Sequence, residues 1–213
     1  LLFGITGSGK TFVYLEAIRR GLAHGRGAII LVPEIGLTPQ TVRRVRGMFG
    51  DDVAVLHSGL SDGERADAWR ALRRGDRRVA VGARSAIFAP VVAPGVIVVD
   101  EEHEATYKNG ESPRYHAREV AAVRARLEGA RLVLGSATPS LESWSEAGPG
   151  KRLTLVPLPE RAGAGKLPPV VLVDLRTAPK VPGSGAIPWS EELDGAVSRV
   201  LARGEQGMLL LNR

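Results

Sequence analysis

Cysteine is absent from this sequence of 213 residues. Without cysteine the chain can form neither a disulfide nor a thiolate zinc site. Histidine is scarce as well, with four scattered residues, so a structural metal site built from imidazoles is not expected. We therefore expect no zinc ligands in this chain and a fold that depends on its buried apolar core.

Long apolar stretches are also missing. The longest runs, AIILVP and GVIVVD, have the length of strands, whereas a membrane-spanning helix needs roughly 18 apolar residues. No signal peptide is visible, because Lys10 lies inside a motif rather than before an apolar core. We expect a cytoplasmic protein with no membrane partner. Both ends of the sequence interrupt strand-like patterns, so we also expect a segment of a longer protein.

Acidic residues are fewer than basic ones. The sequence has 23 Asp and Glu and 29 Lys and Arg, which gives a net charge of +6. The arginines cluster in RRVRG, WRALRRGDRR and AVRARLEGAR. Two interpretations stay open. One is solvated helix faces in an arginine-rich sequence. The other is contact with an anionic polymer, because neutralisation of phosphates by Arg and Lys dominates affinity for nucleic acids.

Apolar runs of strand length alternate with helical patterns. Leu15, Ile18 and Leu22 recur at helical spacing, and Ser61 with Glu64 forms a capping box at the start of a later helix. Continuous β-branched runs separated by helices predict a mainly parallel sheet flanked by helices, which is the α/β class. Within these helices we expect Trp69 to face the core.

Composition divides the chain into three parts. Residues 1–148 carry the alternating pattern and form the predicted α/β lobe. Residues 149–188 are rich in Pro and Gly and are predicted to be a connecting, irregular segment, apart from the strand-like VVLVD. Residues 189–213 contain a helix capped by Ser190 and then the apolar run MLLLNR, which is predicted to be a strand. We interpret them as the truncated beginning of a second lobe.

Residues 4–11, GITGSGKT, fit the pattern G-x-x-x-x-G-K-[ST] in full and are called the phosphate loop here. Its glycines let backbone N–H groups point into one concavity, to which the following helix adds a positive dipole end. Lys10 is predicted to reach the phosphates of ATP, and Thr11 to bind Mg²⁺. The predicted ATP-binding residues are Gly4, Ile5, Thr6, Gly7, Ser8, Gly9, Lys10 and Thr11.

Residues 100–103, DEEH, end an apolar strand. A carboxylate at the carboxyl end of a parallel strand faces the same crevice as the phosphate loop. Asp100 is predicted to hold Mg²⁺, and Glu101 to orient or deprotonate the attacking water, because phosphoryl transfer needs positioning and charge stabilisation. DEEH alone is a weak signal. Together with the phosphate loop it predicts a nucleotide hydrolase with Lys10, Asp100 and Glu101 as catalytic residues.

A third stretch, GSATPS, follows the next buried strand. Its hydroxyl groups, on Ser136 and Thr138, can hydrogen-bond His103 and report the nucleotide state. The alternative, an ordinary strand-to-helix turn, stays open. His57 is interpreted as a strand-end histidine satisfied by backbone groups rather than as a catalytic one.

These three pieces, in this order, resemble the superfamily-2 helicases and translocases of the DEAD/DEAH type. Further stretches resemble the bacterial replication-restart helicases of the PriA family. They read LVPEIGLTPQ, HSGLSDGER, GARSAIFAP, DEEHEATYKNGESPRYHAREVA and LGSATPSLES. The resemblance is dense over residues 1–148 and thinner beyond. Phe12 departs from the pattern, since many such helicases have a polar residue there, so the local nucleotide pocket is expected to differ.

The resemblance implies a RecA-like ATP-binding lobe and an ATP-dependent 3′→5′ DNA helicase. It further implies action at stalled or abandoned replication forks, where replication restarts and the primosome is loaded. The implied partners are forked and single-stranded DNA, single-strand-binding protein and other primosome proteins, in a nucleoid-associated protein. Zinc is implied only outside this segment. Because the second lobe is truncated, the segment alone is expected to be weakly active or inactive.

The resemblance also implies DNA contacts. Tyr107 and Tyr115 can stack on bases, while Lys108 and Arg114 can meet phosphates; packing of the tyrosines on a neighbouring strand is the alternative. The implied DNA-binding residues are Thr38, Gln40, Arg84, Ser85, Tyr107, Lys108, Arg114 and Tyr115.

Besides a DNA motor, a fork-binding scaffold for primosome assembly with incidental ATP turnover stays open. A phosphate-loop enzyme acting on a small molecule is a third possibility, against which the aromatic loop and the set of motifs argue.

Overall fold

The computed structural model describes residues 1–162, 169–179 and 189–210. The chain divides into two compact units, Leu1–Gly165 and Lys166–Arg213. In the first unit the strands are β1 Leu2–Gly4, β2 Gly27–Leu31, β3 Val53–Leu56, β4 Val79–Gly82, β5 Pro94–Asp100, β6 Lys108–Asn109, β7 Tyr115–His116, β8 Arg131–Ser136 and β9 Val156–Leu158. The α-helices are α1 Lys10–Ala23, α2 Pro39–Phe49, α3 Asp62–Arg74, α4 Ala117–Glu128, α5 Leu141–Ser145 and, in the second unit, α6 Glu191–Ala202.

Seven strands form one sheet in the order β3-β4-β2-β5-β8-β1-β9, and every neighbouring pair is parallel. The two short strands β6 and β7 pair separately as an antiparallel hairpin. Parallel neighbours require crossover connections, which α1 to α4 provide. The α/β class with a parallel sheet is therefore confirmed.

Both faces of the sheet are covered, as the continuous apolar strands predict. Ile29 and Ile97 point to one face, where α3 and α4 contribute small residues and Leu72. Ile30 and Val98 point to the other face, which α1 and α2 cover. The period of two along each strand distributes its side chains between these two cores.

Local capping chemistry fixes where the helices begin. The Thr38 hydroxyl accepts a hydrogen bond from the Thr41 N–H before Pro39 opens α2. Ser61 and Glu64 form both bonds of a capping box at the start of α3. The start of α3 agrees with the sequence analysis, because a cap depends on residues that are close together in the chain.

The end of the first unit differs from the sequence-based boundary. Val156–Leu158 falls within the stretch predicted to be irregular, yet it forms β9 and pairs with β1 at the edge of the sheet. A strand this short among prolines and glycines has no detectable period. The structure thus extends the first unit beyond residue 148, and the interpretation of residues 189–213 as the start of a second lobe stays a prediction.

The prediction that Trp69 lies in the core is wrong. Ala68 and Leu72, four residues apart, form the buried side of α3, whereas Trp69 is 37% exposed. One residue along a helix is a rotation of about 100°, which turns the indole away from the sheet.

The apolar runs of the second unit do not form the strands that we predicted from them. Val170, Val171 and Leu172 are exposed and have no strand pairing. The same holds for residues 208–210, while the last three residues of the predicted strand lie outside the described residues. A strand needs a hydrogen-bonding neighbour. In this unit the Ser190 cap of α6 is present, with the hydroxyl accepting from the Leu193 N–H.

No helix in the described part of the chain combines the length and apolarity needed to cross a bilayer.

Candidate nucleotide-binding site

The polar residues singled out in the sequence meet at the carboxyl edge of the parallel sheet. The phosphate loop follows β1, and Asp100 is the last residue of the central strand β5. A cavity of about 490 Å³ opens there, a size typical of ligand pockets. Its lining includes residues 6–12, Arg44, Asp100 and Glu101. The structure thus brings the phosphate loop and both predicted hydrolytic acids to one cavity.

The phosphate loop has the backbone that its glycines permit. Gly7 and Gly9 have φ angles of 82° and 91°, in the left-handed region that residues with a Cβ rarely adopt. A Cβ at Gly4 would collide with the Ser8 hydroxyl. Lys10, the first residue of α1, lies across the loop and donates from Nζ to the Gly4 carbonyl at 2.7 Å.

The donors of this loop fit a phosphate. The Ser8 hydroxyl oxygen is buried and has no hydrogen-bond partner within the described residues, which is unusual because buried polar atoms are nearly always paired. Ser8 and Lys10 both line the cavity at the amino end of α1, where anions are favoured. Together the loop amides, the Lys10 ammonium and the unpaired Ser8 hydroxyl give this loop several donors suited to a phosphate.

The same cavity offers two oxygen ligands for Mg²⁺. Thr11 and Asp100 both line it, and Mg²⁺ in phosphate-transfer sites takes one or two protein oxygens together with phosphates and water. Residues 1–162, 169–179 and 189–210 contain no group of three or more histidine or acidic side chains that could hold a metal ion. Any ion here would need the phosphates to complete its shell.

Two tyrosines hold Asp100. The Tyr14 hydroxyl donates to Oδ1 of Asp100 at 2.9 Å, and the Tyr107 hydroxyl donates to the Asp100 carbonyl at 2.6 Å. Burial raises the pKa of Asp100, and the Tyr14 bond and the Lys10 charge oppose that rise. Burial, with the nearby Asp100 charge, raises the pKa of Tyr14 above its usual value, so this hydroxyl stays a donor.

Glu101 has a strained backbone at the mouth of the cavity. Its φ of 45° is left-handed, which costs a residue with a Cβ of the order of 1–3 kcal/mol and is a feature that clusters at active sites. Burial, followed by the neighbouring Asp100 charge, raises the pKa of Glu101. A carboxylate with a raised pKa is a better proton acceptor, which suits a group that activates water.

His103 contacts the hydroxyl groups of Ser136, the last residue of β8, and of Thr138 in the loop that follows. Its Nδ1 lies 2.7 Å from the Ser136 hydroxyl, and its Nε2 lies 3.4 Å from the Thr138 hydroxyl. The Thr138 N–H also donates to Ser136 Oγ at 2.9 Å. The structure therefore brings these three residues together, and their role in reporting the nucleotide state stays a prediction.

Four of the residues implied in DNA contact lie along the same edge of the sheet. Thr38 and Gln40 are at the start of α2, after β2. Arg84 and Ser85 open a short 3₁₀ turn, Arg84–Phe88, after β4. Arg84 also donates through Nη1 to the carbonyls of Thr106 and Lys108, at 3.1 and 2.9 Å. Arg84 thus holds the base of the β6–β7 hairpin.

In and next to the β6–β7 hairpin, the four residues implied in DNA contact differ in their exposure. Lys108 and Arg114 are exposed. Tyr107 is only 1% exposed and packs in the core, so its proposed stacking on a base is wrong and the packing alternative holds. Tyr115 is partly buried and meets Phe88 edge to face, with the ring centroids 5.0 Å apart.

Two other expectations concern His57 and Phe12. The Gly59 N–H donates to His57 Nδ1 at 3.1 Å, so this strand-end histidine is satisfied by the backbone as we expected. Phe12 is 68% exposed and lines the nucleotide cavity, to which it contributes an apolar ring.

The sequence analysis missed Tyr14, Glu102 and Arg118. Tyr14 had a usable signal, since it follows Lys10 by four residues on a helix and therefore lies on the same helix face. Glu102 is part of DEEH, but the motif does not indicate which of its three acidic side chains is buried in the protein. Arg118 had no signal, because it reaches Glu102 only through tertiary packing.

Comparison with known proteins identifies the family. A family model described as DEAD/DEAH box helicase matches residues 1–147. The chain belongs to the DEAD/DEAH box helicase family. This match agrees with the phosphate loop, DEEH and GSATPS motifs and with the parallel sheet that places them at one edge.

Curated relatives extend over the whole chain. It is 50% identical to the replication restart protein PriA of Bacillus subtilis (strain 168) over 213 residues, which are 100% of this chain and 26% of that protein. It is 47% identical over 219 residues to PriA of Synechocystis sp. (strain ATCC 27184 / PCC 6803 / Kazusa), with 100% and 26% covered. The chain is therefore homologous to PriA and spans about a quarter of the length of these relatives.

A solved structure supports the fold. RecG bound to a three-way DNA junction matches with a TM-score of 0.54 and 24% identity, over 78% of this chain and 21% of that one. At this level of identity the likeness concerns the fold, and it agrees with a RecA-like helicase lobe.

Proposed function

We propose that this chain is the ATP-binding part of an ATP-dependent 3′→5′ DNA helicase that acts at stalled or abandoned replication forks and restarts replication. The observation that carries the proposal is the shared cavity of the phosphate loop and the acids after β5. The homology to PriA over the whole chain supports the link to replication restart, from which the polarity and the loading of the primosome are proposed.

Each residue of the cavity has a proposed role. Lys10 and the loop amides bind the phosphates, and Thr11 with Asp100 holds Mg²⁺. When bound, Mg²⁺–ATP supplies the phosphoryl group whose transfer releases energy. Tyr14 keeps the Asp100 carboxylate oriented, and Glu101 accepts a proton from the attacking water. His103, with Ser136 and Thr138, links this site to the loop after β8.

DNA is the proposed substrate of the motor. Thr38, Gln40 and Ser85 follow β2 and β4 on the same carboxyl edge of the sheet as the nucleotide site, and Lys108 and Arg114 are exposed at the β6–β7 hairpin. The net charge of +6 also suits a polyanionic partner.

Further partners are proposed from the homology to PriA. They are forked and single-stranded DNA, single-strand-binding protein and other primosome proteins. Since this chain has no cysteine, any thiolate zinc site of the full-length protein is proposed to lie outside it.

The DNA dependence of ATP turnover in the full-length protein tests the motor. We expect turnover to rise by tenfold or more on addition of forked or single-stranded DNA, about 1.4 kcal/mol in barrier height. Forks with a 3′ tail or a 5′ tail then test the polarity. If the rate of ATP turnover is the same with and without DNA while forks bind tightly, the scaffold for primosome assembly is favoured instead.

A further inference from the structure

The two adjacent glutamates of DEEH, Glu101 and Glu102, point in different directions. Glu101 faces the cavity, whereas Glu102 is fully buried behind it, with no exposed surface. The Glu102 N–H donates to the Gly135 carbonyl at 3.0 Å, which ties the end of β5 to β8. A buried carboxylate is costly unless it is fully bonded, so the partners of this side chain indicate what it does.

Both carboxylate oxygens of Glu102 are satisfied. Oε1 accepts from the Ser140 N–H at 2.8 Å. Oε2 accepts from Arg118 Nη1 at 2.8 Å and from the hydroxyls of Ser140 and Ser143 at 3.0 and 2.8 Å. Burial opposes the charge, but the bonds from Arg118 and the serines outweigh it and hold the pKa of Glu102 below its usual value. Glu102 is therefore an anion at neutral pH.

These partners come from two different segments. Arg118 is the second residue of α4, and it also donates to the Ser140 hydroxyl at 2.7 Å. Ser140 caps α5, the helix that follows the GSATPS loop. Glu102 thus fastens the end of β5 to α4 and to the start of α5. The next residue toward the cavity is Glu101, whose left-handed backbone has to be maintained by its surroundings.

We infer that Glu102 is a positioning residue that, anchored by Arg118, holds Glu101 in the conformation required for hydrolysis. The inference rests on the proposed function, because it assumes that Glu101 activates water. A buried ion pair is weak evidence for a role in stability, since well-packed apolar residues of similar volume often serve equally well. Its placement directly behind a strained catalytic carboxylate gives the pair a geometric role instead.

A double-mutant cycle in the full-length protein tests the inference. The variants are Glu102→Gln, Glu101→Gln and the double variant, assayed for single-turnover ATP hydrolysis well below their unfolding temperatures. We expect Glu102→Gln to slow hydrolysis by about 10–100-fold, the scale of a misplaced catalytic group. In the Glu101→Gln background it should change the residual rate by less than about twofold, because residues that act through one another are not additive.

Affinity for a fluorescent ATP analogue is the second measurement, and it should differ by less than about threefold between Glu102→Gln and the unaltered protein. Glu119→Gln is the matched control, since Glu119 pairs with the same Arg118 at 3.3 Å on the surface, and it should keep the unaltered hydrolysis rate. Arg118→Lys is a second variant, and we expect it to slow hydrolysis to a similar extent. It serves in place of Glu102→Gln if that variant folds poorly.

The outcomes separate the two claims. Full additivity in the cycle, or unchanged hydrolysis in both Glu102→Gln and Arg118→Lys, would overturn the positioning role and leave the proposed function standing. Normal hydrolysis by Glu101→Gln would instead remove the assumption about Glu101, and the inference would fall with it.

Discussion

Unwinding of forked DNA by the full-length protein is expected to be lost when Lys10 is replaced by Ala. Lys10 is the buried ammonium of the phosphate loop, where its Nζ lies 2.7 Å from the Gly4 carbonyl and borders the cavity shared with Asp100 and Glu101. Removing one charge-stabilising donor from such a site typically costs about 10²–10³ in rate. ATP turnover and unwinding should fall together by at least that factor.

Fork binding should stay within a few-fold in the same variant, because the exposed residues implied in DNA contact are untouched. Lys151→Ala is the matched control. Its ammonium also donates to a backbone carbonyl, that of Ser145 at 2.6 Å, but it lies in an exposed turn. Lys151→Ala should unwind normally. Normal unwinding by Lys10→Ala would show that the motor assignment is wrong.

The second large effect is expected from Gly135→Ala in β8. A Cβ at this position would lie 2.6 Å from Tyr14 Cζ and would overlap the Tyr14 hydroxyl. Either the ring or the strand has to move, and overpacking of this kind costs about 1–3 kcal/mol of folding free energy. Because the same hydroxyl donates to Asp100, ATP turnover should also fall, by at least tenfold. Chemical denaturation and a turnover assay measure the two effects.

Gly47→Ala is the control for Gly135→Ala. Gly47 lies within α2, and a Cβ there would meet nothing within 4 Å. The change should leave stability equal or raise it by up to about 1 kcal/mol, because Ala favours a helix over Gly. Tyr14→Phe separates the causes, since it removes the bond to Asp100 without overpacking. If Gly135→Ala is as stable and as active as the unaltered protein, the tight contact between β8 and Tyr14 is not real.

The parts of the fold that could be predicted are those coded by neighbouring residues. The β-branched runs of β2, β4 and β5 indicate buried parallel strands, and Ser61 with Glu64 marks the start of a helix. Edge strand β9 and the orientation of Trp69 could not be predicted from neighbouring residues. Their placement depends on what packs against them, which a local pattern does not contain.

The site shows the same division. A contiguous motif specifies the phosphate loop, and the rule that parallel strands end at one edge brings Asp100 and Glu101 to it. The residues that orient those acids come from distant segments. The sequence suggested that Tyr107 stacks on a base, but its ring is buried and its hydroxyl supports Asp100 instead. Aromatic residues in a polar loop are ambiguous, because packing and stacking favour the same side chains.

The central claim is that the phosphate loop and the acids after β5 act on one magnesium-bound triphosphate. A crystal structure of the protein with Mg²⁺ and a non-hydrolysable ATP analogue tests it most directly. We predict the triphosphate within the loop, and Mg²⁺ at about 2.1 Å from the Thr11 hydroxyl and bound to Asp100 directly or through one water. A triphosphate bound outside the loop, or an ion beyond the reach of Asp100, would contradict the account.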